Sequence, residues 1–177
     1  MKRIFRDHMS ELYWLAYLLT GDRERSVQAY TGALNSEDPA PALQRFMLSW
    51  ARRLVIVAAL GTIRRELREG VLQSRPGSKD EFAGLNRLSQ ADLTRLTKGE
   101  LEEALLGMAP FRRATVILTI LEGMPVQEAA GLLGADENTV KTALARGVEE
   151  MTWRLIGGVT ESKSPFGFGR GAMVAFG

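Results

Sequence analysis

Between Asp136 and Arg146 the chain sets Glu137, Asn138, Lys141, Thr142 and Arg146 at spacings that fall on one side of a helix. Polar and cationic groups collected in this way suit contact with base edges and phosphate oxygens in a DNA groove. The segment that carries them, MPVQEAAGLLGADENTVKTALAR from Met124, has the pattern of a helix-turn-helix. Pro125 suits a first helical turn, where a missing N–H is no loss, and Ala129, Ala130 and Leu133 form an inward stripe. Ala130 is small enough for a second helix to cross closely. Gly134 stands at the turn, where positive φ comes most easily to glycine; Asp136 is placed to cap the next helix, with Val140 and Ala143 as its inward face. A plain helical hairpin in an all-α core would use the same apolar residues. The small residue, the turn glycine and the apolar residue six positions after it, taken together, favour the helix-turn-helix.

The elements around this motif are helical as well. Thr97 and Glu100 are spaced as a capping box for a helix to about Met108, and Pro110 opens another through ATVILTILEG that Gly123 closes. Near the N-terminus Phe5, Met9, Leu12, Ala16 and Leu19 give Ile4 to Leu19 one apolar face, ended by Gly21. A second helix is predicted over Arg25 to Leu34. After Pro39 and Pro41 a long third one carries Leu43, Met47, Trp50, Leu54 and Val57 inward and reaches Glu69 before Gly70. The expected architecture is all-α: a three-helix domain over 1–70, a flexible linker over 71–96, a helix-turn-helix domain over 97–156 and a disordered tail over 157–177. The linker contains QSRPGSKD, and Ser89 is placed to cap a short helix within it. The tail's GFGRGA has no strand before it and no helix after it, which argues against a nucleotide loop.

Composition narrows the function. The 177 residues contain no cysteine, which excludes a disulfide frame, thiolate zinc ligands and a cysteine nucleophile. The longest apolar run, Leu54 to Ile63, is about half the roughly 20 residues a membrane helix needs, and the N-terminus lacks the apolar centre of a signal peptide. A soluble, cytoplasmic protein without membrane insertion is expected. His8 is the only histidine. Glu100, Glu102 and Glu103 sit at a helix start, where they complement the dipole without needing a metal. With no Walker loop, nucleophile elbow or metal-ligand spacing, the chain reads as a non-enzyme with no catalytic residue, metal or cofactor.

The second half resembles region 4 of the extracytoplasmic-function sigma factors of the sigma-70 family. Met108, Pro110, Arg113, Gly123, Glu128 with Ala129 and Ala130, Leu133 with Gly134, Thr139 to Lys141, and Arg146 match that family's pattern over about fifty residues. ELYWLAYLLTGDRERSVQAYTGAL and RFMLSWARRLVIVAALGTIRREL resemble sigma region 2. The resemblance implies that Val27 and Gln28 lie where the first domain grips the RNA polymerase core. It also implies that the long helix faces the minus-ten promoter element and the helix-turn-helix the minus-thirty-five element. Region 2 is divergent: its acidic run is shortened to Arg23, Glu24, Arg25 and Ser26, and the polar landmarks of the long helix are replaced.

Arg52, Arg53, Arg64, Arg65 and Arg68 remain on that helix, either as phosphate contacts or as a solvated face. Residues 1–70 hold eleven Lys and Arg against eight acids, a net of plus three, whereas residues 100–155 hold five against nine, a net of minus four. An acidic recognition domain suits a protein whose DNA affinity is lent by a polymerase. The expected partners are core RNA polymerase and promoter DNA, with an anti-sigma factor as a further one. Two other readings stay open: a sigma mimic that binds an anti-sigma factor without recognising promoters, and a stand-alone helix-turn-helix regulator.

Overall fold

A computed structural model describes residues 2–36, 46–73 and 97–161. All the regular structure among them is helical. The first bundle holds α1 (Lys2–Asp7), α2 (Met9–Thr20), α3 (Arg23–Leu34), α4 (Met47–Thr62) and α5 (Arg64–Gln73). The second holds α6 (Lys98–Leu106), α7 (Pro110–Val116), a π-helical turn (Ile117–Leu121), α8 (Val126–Leu133) and α9 (Glu137–Glu161). The linker residues 74–96, with Ser89, and the tail residues 162–177 lie outside the described residues.

Local chemistry explains several helix ends. Gly21 terminates α2 at φ 71°, its N–H donating to Tyr17 O, and the Asp22 carboxylate then caps α3 by accepting from Arg25 N–H at 2.8 Å. The expected capping box is formed: Thr97 Oγ1 accepts from Glu100 N–H at 3.2 Å, and the Glu100 carboxylate accepts from Thr97 N–H at 2.7 Å.

Several sequence expectations need correction. The single helix over Ile4 to Leu19 is broken at His8, whose φ and ψ of −113° and 23° leave the helical region, so Met9 is turned out to 55% exposure. The long helix is broken at Ile63 and runs on through Gly70 to Gln73. Its inward face is also rotated from the expected one: Ala51, Val55, Ile56, Ala59, Leu60 and Ile63 are buried, whereas Val57 is half exposed. Apolar residues surround this helix on nearly every side, so spacing alone leaves its orientation undetermined. Finally, α9 continues past Gly157 and Gly158, where the sequence places the start of the tail.

In the first bundle α2, α3 and α4 pack on one another, and α1 is tied in by Phe5, whose ring meets Tyr30 edge-on at 5.5 Å while Tyr30 Oη donates to Phe5 O at 2.8 Å. In the second bundle α9 covers α7, α8 and α6. Fully buried Leu105, Phe111, Ile117, Leu118 and Val140 fill its centre. The two bundles share one continuous apolar core, because α5 lies along α7 and α2 reaches both α6 and α7.

Candidate nucleic-acid interface

The helix-turn-helix is built by α8, the Gly134 turn and the start of α9. Pro125 stands one residue before α8 rather than in its first turn, with an extended ψ of 142° that sets the entry angle. Gly134 adopts φ 66°, the left-handed conformation expected of it, and Ala129, Ala130, Leu133, Val140 and Ala143 are all buried. Asp136 caps α9 twice: its carboxylate accepts from Thr139 N–H at 2.9 Å and from Thr139 Oγ1 at 2.7 Å. These bonds, the hydroxyl first, hold its carboxyl below the usual aspartate range.

The start of α9 therefore presents a fixed polar face. Glu137, Asn138 and Lys141 are exposed, and Thr142 and Arg146 are half-buried beside them. Lys141 Nζ lies 3.4 Å from Glu137 Oε2 one turn back, so part of its charge is neutralised on the helix itself. Arg146 forms no ion pair with any described residue.

The arginines of the first bundle fall into two groups. Arg64 and Arg68 are exposed on α5 without an ion pair among the described residues, and Arg65 pairs only with Glu69 at 3.1 Å on the same helix. Arg52 and Arg53 are instead turned to the second bundle. Arg52 Nε and Nη2 fork onto the two oxygens of Glu122 at 2.9 and 2.5 Å, and its Nη1 meets Glu11. The Glu122 side chain is only 9% exposed, and its hydrogen bond is the first cause that raises the Arg52 pKa above its ordinary value. Arg53 Nη1 pairs with Glu128, with both groups largely in solvent, where such a pair adds little stability. On α3, Val27 and Gln28 are exposed side by side, an apolar and an amide group together.

Residues 98–151 match the family model for sigma-70 region 4. Over 160 residues the chain is 27% identical to the ECF RNA polymerase sigma factor SigM of Mycobacterium tuberculosis, in both its Erdman and H37Rv strains. The alignment covers 88% of this chain and 76% of that relative. The chain thus carries a match to sigma-70 region 4 and is similar along most of its length to an extracytoplasmic-function sigma factor.

The polar residues expected at the start of α9 do share one face, and the arginines expected on the long helix do not. The break at Ile63 leaves Arg64, Arg65 and Arg68 on α5, apart from Arg52 and Arg53 on α4. Sequence reading missed the role of Glu122, Glu128 and Glu11 as partners of those arginines. It also missed Arg113, a 4% exposed guanidinium that donates from Nη1 to Leu106 O and from Nη2 to Leu19 O, each at 3.3 Å. Leu19 and Leu106 lie in the last turns of α2 and α6, so one cation serves the carbonyl ends of two helices, one from each bundle. The sequence marks Arg113 only as one of the positions matching the family pattern, the second of two adjacent arginines just inside a helix that opens with Pro110.

Proposed function

We propose that this sigma factor binds core RNA polymerase through the outer face of its first bundle, with Val27 and Gln28 on α3 as contacts, and brings α9 to the upstream promoter element. The observation that carries this reading is the exposed, doubly capped start of α9. Asn138 offers both a donor and an acceptor to a base edge, while Lys141 and Arg146 reach phosphates. Glu137 and Thr142 complete the face and fix its register. Residues 1–73 act as the region 2 unit and 97–161 as the region 4 unit, with 74–96 joining them.

Arg52, Arg53, Arg64 and Arg65 would touch the DNA backbone near the downstream element, a contact that positions without reading sequence. The second bundle's net negative charge makes autonomous DNA binding weak, so the affinity comes with the polymerase. Such a protein works in the cytoplasm, needs no cofactor, and performs no catalysis of its own. No helix among the described residues is long and apolar enough to cross a membrane. An anti-sigma factor is a natural regulatory partner for the same surfaces.

The test is gel filtration of the chain with core enzyme, followed by transcription from promoters randomised separately in the two elements. Co-elution and dependence on the upstream element are expected. Co-elution without transcription would favour a sigma mimic that titrates an anti-sigma factor. Persistent separation at micromolar concentration would reject the polymerase-binding role.

A further inference from the structure

We propose that the seam between the two bundles holds a site for a guanine nucleotide, a cleft of about 460 Å³ in which Arg64 and Arg68 of α5 take the phosphate. The proposal rests on a cavity and charges of the chain itself and is independent of the polymerase and promoter reading. The cleft is walled by α4 and α5 on one side and by the end of α8 on the other. Its volume falls within the roughly 300–1,000 Å³ of small-molecule sites, and walls on both sides suit a small ligand rather than a folded partner.

The charge comes from α5. Its two carboxylates are committed elsewhere, Glu66 to Arg25 at 2.6 Å and Glu69 to Arg65 at 3.1 Å. Arg64 and Arg68, one turn apart, line the cleft and have no ion pair among the described residues, so their guanidiniums can fork together onto one phosphate. Buried Leu60, Leu67 and Leu133 give the cleft an apolar floor for a flat ring. Gly61 on α4 and Gly131 on α8 line it too, and a Cβ at either would meet nothing within 4 Å. Glycine inside a helix is costly, and no neighbour in the chain requires these two, whereas a ring lying against bare backbone does. At the far end α8 stops at Leu133, and the N–H groups of Gly134 and Ala135 both go to Ala130 O. The carbonyls of Gly131, Leu132 and Leu133 therefore lack a partner within their own helix, and such acceptors call for N–H donors on the ring. Guanine carries adjacent N–H donors on its Watson–Crick edge, so an anion, a flat body and these donors describe its nucleotide.

The probe is guanosine monophosphate, titrated calorimetrically into the full chain, with guanosine and inorganic phosphate as its two halves. Saturable binding of the nucleotide is expected, about tenfold or more tighter than that of either half. Arg64→Ala with Arg68→Ala should weaken it about tenfold or more, through loss of two charge-assisted contacts, at an unchanged urea midpoint because both side chains are exposed. Arg3→Ala with Arg23→Ala makes the same change in net charge at exposed sites outside the cleft and should alter affinity by less than about twofold. Gly131→Leu puts a side chain into the cleft from a position with free space, so it should raise the urea midpoint and yet weaken binding about tenfold. Equal weakening by the Arg3 and Arg23 pair, phosphate binding as tight as that of the nucleotide, or full affinity in Gly131→Leu would each overturn the site. A wild-type chain that takes up no nucleotide at millimolar concentration would overturn it as well, and would leave the polymerase-binding reading untouched.

Discussion

Gly70 on α5 and Phe111 on α7 pack backbone against ring so closely that a Cβ at Gly70 would stand 2.3 Å from Phe111 Cβ. Phe111 is 1% exposed and sits deep in the shared core, so it cannot swing aside. Gly70 therefore sets how near the first bundle can come to the second.

Gly70→Ala should destabilise the chain by about 1–3 kcal/mol through overpacking, despite the better helix propensity of alanine. Gly32→Ala is the matched comparison, since nothing lies within 4 Å of a Cβ there. It should stabilise the chain by about 0.5–1 kcal/mol. Urea unfolding of both variants checks the pair, and stabilisation by both would refute the close approach.

Lys141→Ala with Arg146→Ala should reduce the salt slope of holoenzyme binding to promoter DNA by about two, one for each phosphate that is no longer neutralised. The already paired Lys141 should account for the smaller part. A slope unchanged from wild type would mean that this face of α9 meets something other than DNA.

The Asp136 cap makes stability depend on pH in a defined direction. Its carboxyl is held below the ordinary aspartate value, so its contribution is complete above about pH 4 and is lost as the pH falls through the folded value. Asp136→Asn still caps but does not titrate. The stability difference between wild type and this variant should stay constant from about pH 8 to pH 5 and shrink below about pH 4. Chemical unfolding at pH 7, 5 and 3 measures it, and a difference that persists at pH 3 contradicts the assigned hydrogen bonds.

Trp14 reports on the seam because Glu102 and Lys98 approach it from the other bundle. With Trp50→Phe and Trp153→Phe it becomes the only tryptophan. Binding to core polymerase should then shift its emission to the red as the indole gains water. Emission that does not move would show that the two bundles stay together on the polymerase.

What the sequence makes legible follows the range of the interaction. Gly21, Gly134, Asp136 and the Thr97–Glu100 box act on their own helix ends, and their spacing records them. The inward face of α4 is misread from spacing because Leu54 and Val57 continue an apolar pattern that Val55, Ile56 and Ala59 satisfy equally well. Nothing local marks the break at Ile63 or the π-helical turn at Ile117–Leu121 that ends beside Glu122. The pairs of Arg52 with Glu122 and Arg53 with Glu128 join residues whose neighbours give no sign of each other, so only the packed chain reveals which arginines are free.

Arg113 gives the seam a dependence on temperature. Burial pushes its pKa down, and its Nε finds no acceptor among the described residues, so closure strips water from a charge without fully replacing it. Hydration of such a charge becomes less favourable on warming, while the apolar attraction around Phe111 weakens on cooling. Both changes act in the same direction. The two bundles are therefore most loosely joined in the cold, and a chill alone tilts the chain toward release.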